Sequence, residues 1–99
     1  MTEDDVRQAL QSVQDPEAGM SVVDLGLVYE IELQPGRVRV DMTMTSPACP
    51  AADYLVDEAA AAIRSLAAEG TDVEVRLVWE PPWTPERMSE EARKRFGWT

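Results

Sequence analysis

Apolar and polar positions alternate along this chain with two different periods, and the switches between them mark out six elements. Val6, Ala9, Leu10 and Val13 recur at helical spacing, which predicts a first helix. Thr2 caps it, Glu3, Asp4 and Asp5 sit favourably at its positive end, and Asp15-Pro16 ends it. From Val28 to Leu33 the period drops to two: Tyr29, Ile31 and Leu33 alternate with Glu30 and Glu32. Gln34-Pro35-Gly36-Arg37 reads as a turn. From Val38 to Thr45 a second strand follows, with Val38, Val40, Met42 and Met44 on one face. The longest helix runs from about Pro50 to Glu69, with Leu55, Val56, Ala59, Ile63, Leu66 and Ala67 as its apolar stripe and Gly70 as its stop. Val73, Val75, Leu77 and Trp79 define a third strand. Thr84-Pro85 opens a last helix, faced by Met88, Ala92 and Phe96.

The expected fold is therefore a single small α/β (α+β) domain over residues 1–99, in the order α-β-β-α-β-α. Its sheet has three strands and is mixed. The short turn makes the first two strands an antiparallel hairpin, and strand-helix-strand implies a parallel pair with a right-handed crossover. Helices pack on that sheet.

Composition narrows the function more than it specifies it. The chain has 99 residues and 44% hydrophobic content, enough for one modest core. Nine basic residues against 19 acidic ones leave a net charge of −10. Without a Lys/Arg cluster, nucleic acid and anionic membrane surfaces are poor partners, whereas a basic protein face fits. No apolar run is long enough for a bilayer, and the acidic start is unlike a signal peptide, so a cytoplasmic location is expected. One cysteine excludes an internal disulfide, and the absence of histidine removes His-based triads, acid–base schemes and zinc sites.

Three segments carry candidate chemistry. Cys49 lies in Thr45-Ser46-Pro47-Ala48-Cys49-Pro50 between a strand end and a helix start. Pro50 suits the first helical position, which puts Cys49 at the N-cap, where amide hydrogens and the helix dipole favour thiolate over thiol. Pro47 and Pro50 stiffen the loop that presents the sulfur. The competing reading is a small buried apolar residue, and Asp53 opposes the thiolate. Asp24, in Val22-Val23-Asp24-Leu25-Gly26-Leu27, is a turn residue bonding backbone amides, or else a hydrogen-bond partner or weak metal ligand beside Cys49. Gly26 permits a special backbone angle or a close approach. Asp15-Pro16-Glu17 reads as solvated loop charge. Trp79-Glu80-Pro81-Pro82-Trp83 is a stiff aromatic strip that serves either as a hot spot for another protein or as cover for this domain's own core.

Taken in register, four segments resemble the SufT-like metal–sulfur cluster assembly family, which includes the PaaD-like proteins. They are Asp15-Pro16-Glu17, Val23 to Tyr29, Met42 to Pro50, and Val78 to Trp83 with Met88 after it. The resemblance implies a compact domain that helps mature or repair iron–sulfur proteins without turning over a metabolite, so it is not expected to be an enzyme. It places the family's cysteine on Cys49 and its aspartate loop on Asp24, with Gly26, Thr45, Pro47 and Pro50 supporting the site. The expected cargo is a transient iron–sulfur cluster or iron, with nothing tightly bound. The implied partners are an iron–sulfur carrier P-loop ATPase, other assembly proteins and client iron–sulfur proteins. PaaD-like members carry a further cysteine-rich part that is not in these residues, which favours general assembly over oxygenase maturation.

One thiolate does not hold a cluster, because iron–sulfur clusters usually take about four protein ligands. Cys49 would share the cluster with a partner, or with a second copy in a symmetric homodimer. The alternative is a non-catalytic adaptor that binds partners through Trp79, Pro81, Pro82 and Trp83, with Cys49 touching no metal. A thiol enzyme would lack its usual base.

Overall fold

The computed structural model of the chain describes residues 1–16, 18–45 and 51–95. Helix α1 spans Glu3–Gln11, β1 Gln14–Asp15, β2 Met20–Ser21, β3 Val28–Gln34 and β4 Arg37–Met42. Helix α2 spans Ala52–Leu66, β5 Asp72–Leu77, a short 3₁₀ turn Pro85–Arg87, and α3 Glu90–Arg95. Thr2 does cap α1: its hydroxyl accepts from the Asp5 amide while the Asp5 carboxylate accepts from the Thr2 amide, a reciprocal capping box.

The main sheet is mixed, in the order β3-β4-β5, with β3 antiparallel and β5 parallel to the central β4. Residues paired across β4 and β5 share a face. Val38, Val40 and Met42 lie beside Val73, Val75 and Leu77, on the face covered by α1 and α2. Helix α2 turns Leu55, Ala59 and Ile63 into that layer and α1 contributes Val6 and Leu10, all of them fully buried. Each such large side chain contributes about 1.5–3 kcal/mol by leaving water.

The opposite face is polar. There Arg39 reaches Glu32 at 2.9 Å and Glu30 at 3.6 Å on one neighbour strand, and Arg76 holds Asp41 bidentately at 2.8 and 3.0 Å from the other. Arg76 holds the Asp41 carboxyl below the ordinary carboxylate range, mainly by this hydrogen bonding and against the opposing effect of burial.

Four details differ from the expected pattern. A two-stranded ribbon, β1–β2, occupies part of the stretch expected to be loop, and Asp15 within it is buried rather than solvated. The last helix is split. Met88 adopts an extended backbone after the 3₁₀ turn, and Ser89 then starts α3 by accepting from the Ala92 amide. Leu33 and Leu66, expected in the core, are exposed because they lie at or next to the ends of β3 and α2, beyond the layer that faces them. Trp79, expected on the inner face of the third strand, lies past the end of β5 and is 41% exposed.

Candidate functional site

Parallel pairing of β4 and β5 sends the chain segments that follow both strands out at the same end of the sheet, where open α/β sheets place their sites. Two backbone bonds fix that end. The Thr43 amide donates to the Leu27 carbonyl at 2.8 Å, and the Val78 amide donates to the Met42 carbonyl at 2.7 Å. Three segments that are distant in sequence therefore meet there: the Asp24 loop entering β3, the segment from Thr43 leading toward Cys49, and the segment from Val78 leading into the tryptophan–proline strip. Cys49, together with Pro47 and Pro50, lies outside the described residues, and Thr45, exposed, is the last residue before that gap. On its far side α2 opens with Ala51 at the cap position and no side-chain cap. The cap therefore falls on Ala51, not on Cys49 as the proline pattern suggested, because a proline at position 50 permits a helix start without dictating it.

Ser21, not Asp24, organises the Asp24 loop. Its hydroxyl accepts from the Val23 amide at 3.1 Å and its carbonyl from the Leu25 amide at 3.0 Å. The Gly26 and Leu27 amides close successive turns on Val23 and Val22. What Asp24 supplies is its backbone carbonyl, which accepts from the Ser89 amide at 2.8 Å. Its carboxylate is half-buried and makes no hydrogen bond or ion pair with the described residues. The expected turn-capping role of that carboxylate is therefore corrected.

Gly26 meets both of its expected demands. Its φ is +75°, and a Cβ there would overlap the Arg87 carbonyl oxygen and stand 2.5 Å from the carbonyl carbon. The loop and the 3₁₀ turn pack backbone to backbone at this point.

The aromatic strip divides. Trp83 is half-buried against the core, and its indole Nε1 donates to the Leu25 carbonyl at 2.7 Å. Pro81 accepts from the Tyr29 hydroxyl at 2.8 Å, and the Arg87 guanidinium lies 4.5 Å from the centre of the Tyr29 ring. Trp83 and Pro81 thus clamp the strip onto the start of β3, while Pro82 and Trp79 stay exposed. Of the two tryptophans, Trp79 is the one available to another molecule.

Sequence reasoning undervalued Asp15. It is 4% exposed, and burying a carboxylate is costly without partners, so it is held by design of the local fold. A signal was present in its placement directly before Pro16 and between apolar Val13 and Met20, but two-residue strands have no periodicity to read. Among the described residues no group of three or more Cys, Asp or Glu side chains could hold a metal ion, and no helix is long and apolar enough to cross a membrane.

A short mixed sheet carrying two helices on one face, with the chain's one cysteine in the connection after its central strand, defines a small α+β domain. Comparison with known proteins then gives the family. The model of the iron–sulfur cluster assembly protein family matches residues 3–76, and the chain belongs to that family. It is 42% identical to the Fe-S protein maturation auxiliary factor YitW of Bacillus subtilis, over 95% of this chain and 92% of that one. The crystal structure of a domain of unknown function, DUF59, from Bacillus anthracis superposes with a TM-score of 0.90 at 38% identity, covering 96% of this chain and 91% of that one. A third relative, an iron-sulfur cluster carrier protein of Synechocystis, is 33% identical over 98% of this chain but only 26% of its own length.

Proposed function

We propose that this chain is a cytoplasmic accessory factor in iron–sulfur protein maturation, acting without substrate turnover and using Cys49 as its one cluster- or iron-contacting group. The observation that carries the reading is family membership across most of the chain, combined with the position of its single cysteine. That cysteine lies in the connection that leaves the sheet end shared by the Asp24 loop and Trp79.

The ligand count dictates the kind of chemistry. With one cysteine and no histidine, the chain supplies one of the roughly four ligands a cluster needs. The others come from a partner, a second copy or small thiols, so the cluster is cargo and its attachment is labile. Transfer is then ligand exchange: an iron–sulfur bond to a receiving thiolate forms as the bond to the Cys49 thiolate breaks, with no net oxidation or reduction. In this reading the half-buried Asp24 carboxylate orients the exchange and Thr45 supports the site. A P-loop ATPase cluster carrier is the partner this reading favours, since a segment matching nearly all of this chain makes up a quarter of the Synechocystis carrier protein.

Complementation with Cys49→Ser, reading the activity of cellular iron–sulfur enzymes, tests the proposal. The variant should fold and fail to restore activity; full restoration would refute it. Exposure of Trp79 favours one competing reading, an adaptor in which Cys49 is idle. That reading requires Trp79→Ala to abolish partner binding while Cys49→Ser remains fully active.

A further inference from the structure

Three of the large hydrophobic side chains left exposed lie together. Met1 is 50% exposed, Leu33 37% and Leu66 45%, and all three line one open groove of about 690 Å³. Pro35 and Ala68 complete its apolar floor. The groove sits at the hairpin-turn end of the sheet, where β4 and β5 begin. Six residues of β4 put it roughly 20 Å from the end that leads toward Cys49, at about 3.3 Å per residue. It continues into a shallower furrow between α1 and α2, lined by Gln8, Ser12 and Ser65, and the two share Asp5 and Leu66. The cleft is elongated, apolar at one end and polar at the other.

Charge selects among the occupants. Asp5 lines the groove, and exposed Glu69 and Asp72 flank its lining residues Ala68 and Thr71 in the chain. The cations that line it are the Met1 ammonium and Arg37, and Arg37 is already engaged by Glu74 at 3.0 Å. Asp5, Glu69 and Asp72 outweigh the remaining ammonium, so the rim is net negative, on a chain whose net charge is −10. A second copy would bring the same acidic rim against it, and like charges facing each other at an interface are costly. A segment with basic flanks meets the rim favourably.

We propose that this groove is a docking surface for an amphipathic segment of another protein, with apolar side chains entering between Met1, Leu33 and Leu66 and Lys or Arg meeting Asp5, Glu69 and Asp72. The surface holds a partner at the end of the sheet where β4 and β5 begin and leaves the opposite end, where both strands finish, unobstructed.

The test uses the full chain, isotope-labelled, titrated with an 18-residue synthetic helix of leucine and lysine and, separately, with its leucine and glutamate counterpart. Saturable NMR shifts should appear with the lysine peptide only, centred on residues 33–37 and 66–72. Leu33→Ser with Leu66→Ser, both at exposed positions, should weaken binding about tenfold or more without changing the thermal midpoint. Glu69→Gln with Asp72→Asn should weaken it severalfold and provides a second probe if the leucine variants misfold. Cys49→Ser should bind the peptide normally, which separates failure of this surface from failure of the cysteine chemistry. Shifts spread evenly over exposed acidic residues elsewhere, such as Asp53, Asp57 and Glu58 of α2, and unaffected by these variants would overturn the proposal. So would a dimer abolished by Leu33→Ser, since the occupant would then be a second copy.

Discussion

Replacing Gly26 with alanine tests the backbone contact that joins the Asp24 loop to the C-terminal segment. Gly26, Gly36 and Gly70 all have positive φ, at +75°, +76° and +86°. For each, alanine costs about 1–2 kcal/mol from that angle, partly offset by about 0.4–1 kcal/mol from a stiffer unfolded chain. At Gly36 and Gly70 nothing lies within 4 Å of the added Cβ, so this is the whole effect. At Gly26 the Cβ meets the backbone of Arg87, which cannot rotate out of the way. The 3₁₀ turn must lift off, taking with it the Trp83–Leu25 and Ser89–Asp24 hydrogen bonds, about 1 kcal/mol each, and part of the burial of Met88, worth about 2 kcal/mol. Gly26→Ala should therefore lose about 3–5 kcal/mol, against about 1 kcal/mol for Gly36→Ala. That is a large share of the roughly 5–15 kcal/mol expected for a domain of this size. Urea unfolding followed by tryptophan fluorescence and by far-ultraviolet circular dichroism measures both variants. If the two lose equal stability, the packing of the loop on the 3₁₀ turn is not what fixes a glycine at position 26.

Two further outcomes can be checked. Asp41→Asn should cost about 1 kcal/mol at neutral pH, discounted because Arg76 is about half exposed, and should flatten the acid limb of the stability curve. The folded carboxyl titrates below its unfolded value of about 3.9, so its contribution is complete above that pH and is lost as pH falls through the lower folded value. Thermal melts between neutral pH and pH 2 show the difference. Trp83→Phe retains most of the ring burial but removes the donor to the Leu25 carbonyl, and should lower stability by about 1 kcal/mol with a blue-shift lost from the emission spectrum.

The three main strands and two long helices were legible because their burial follows a clean period. Val38, Val40 and Met42 against Arg39 and Asp41 could be read directly as two faces, and the parallel pair followed from the helix between β4 and β5. Legibility failed where structure depends on contacts distant in sequence. Nothing local shows that the Asp24 carbonyl would receive the Ser89 amide, or that Trp83 would fold back onto Leu25 while Trp79 stayed outside. The split of the last helix had a local sign in Ser89-Glu90-Glu91, a capping serine ahead of acidic residues, which the stronger Thr84-Pro85 signal masked. Leu33 and Leu66 fit their stripes perfectly by spacing. They are exposed because a period reports the face of an element and not where the opposing layer ends.

The charged face of the sheet has a consequence for how the molecule behaves in a crowd. Flat strand surface left open on a sheet would ordinarily invite association with other chains. Here Arg39 and Arg76, with the carboxylates of Glu32 and Asp41 that they hold, act as insulation, costing an approaching sheet the removal of several ionic groups from water. The insulation is ionic, so its reach contracts with the screening length, from about 10 Å at 0.1 M salt to about 3 Å at 1 M. Raised salt is therefore the condition under which that face should begin to accept another sheet.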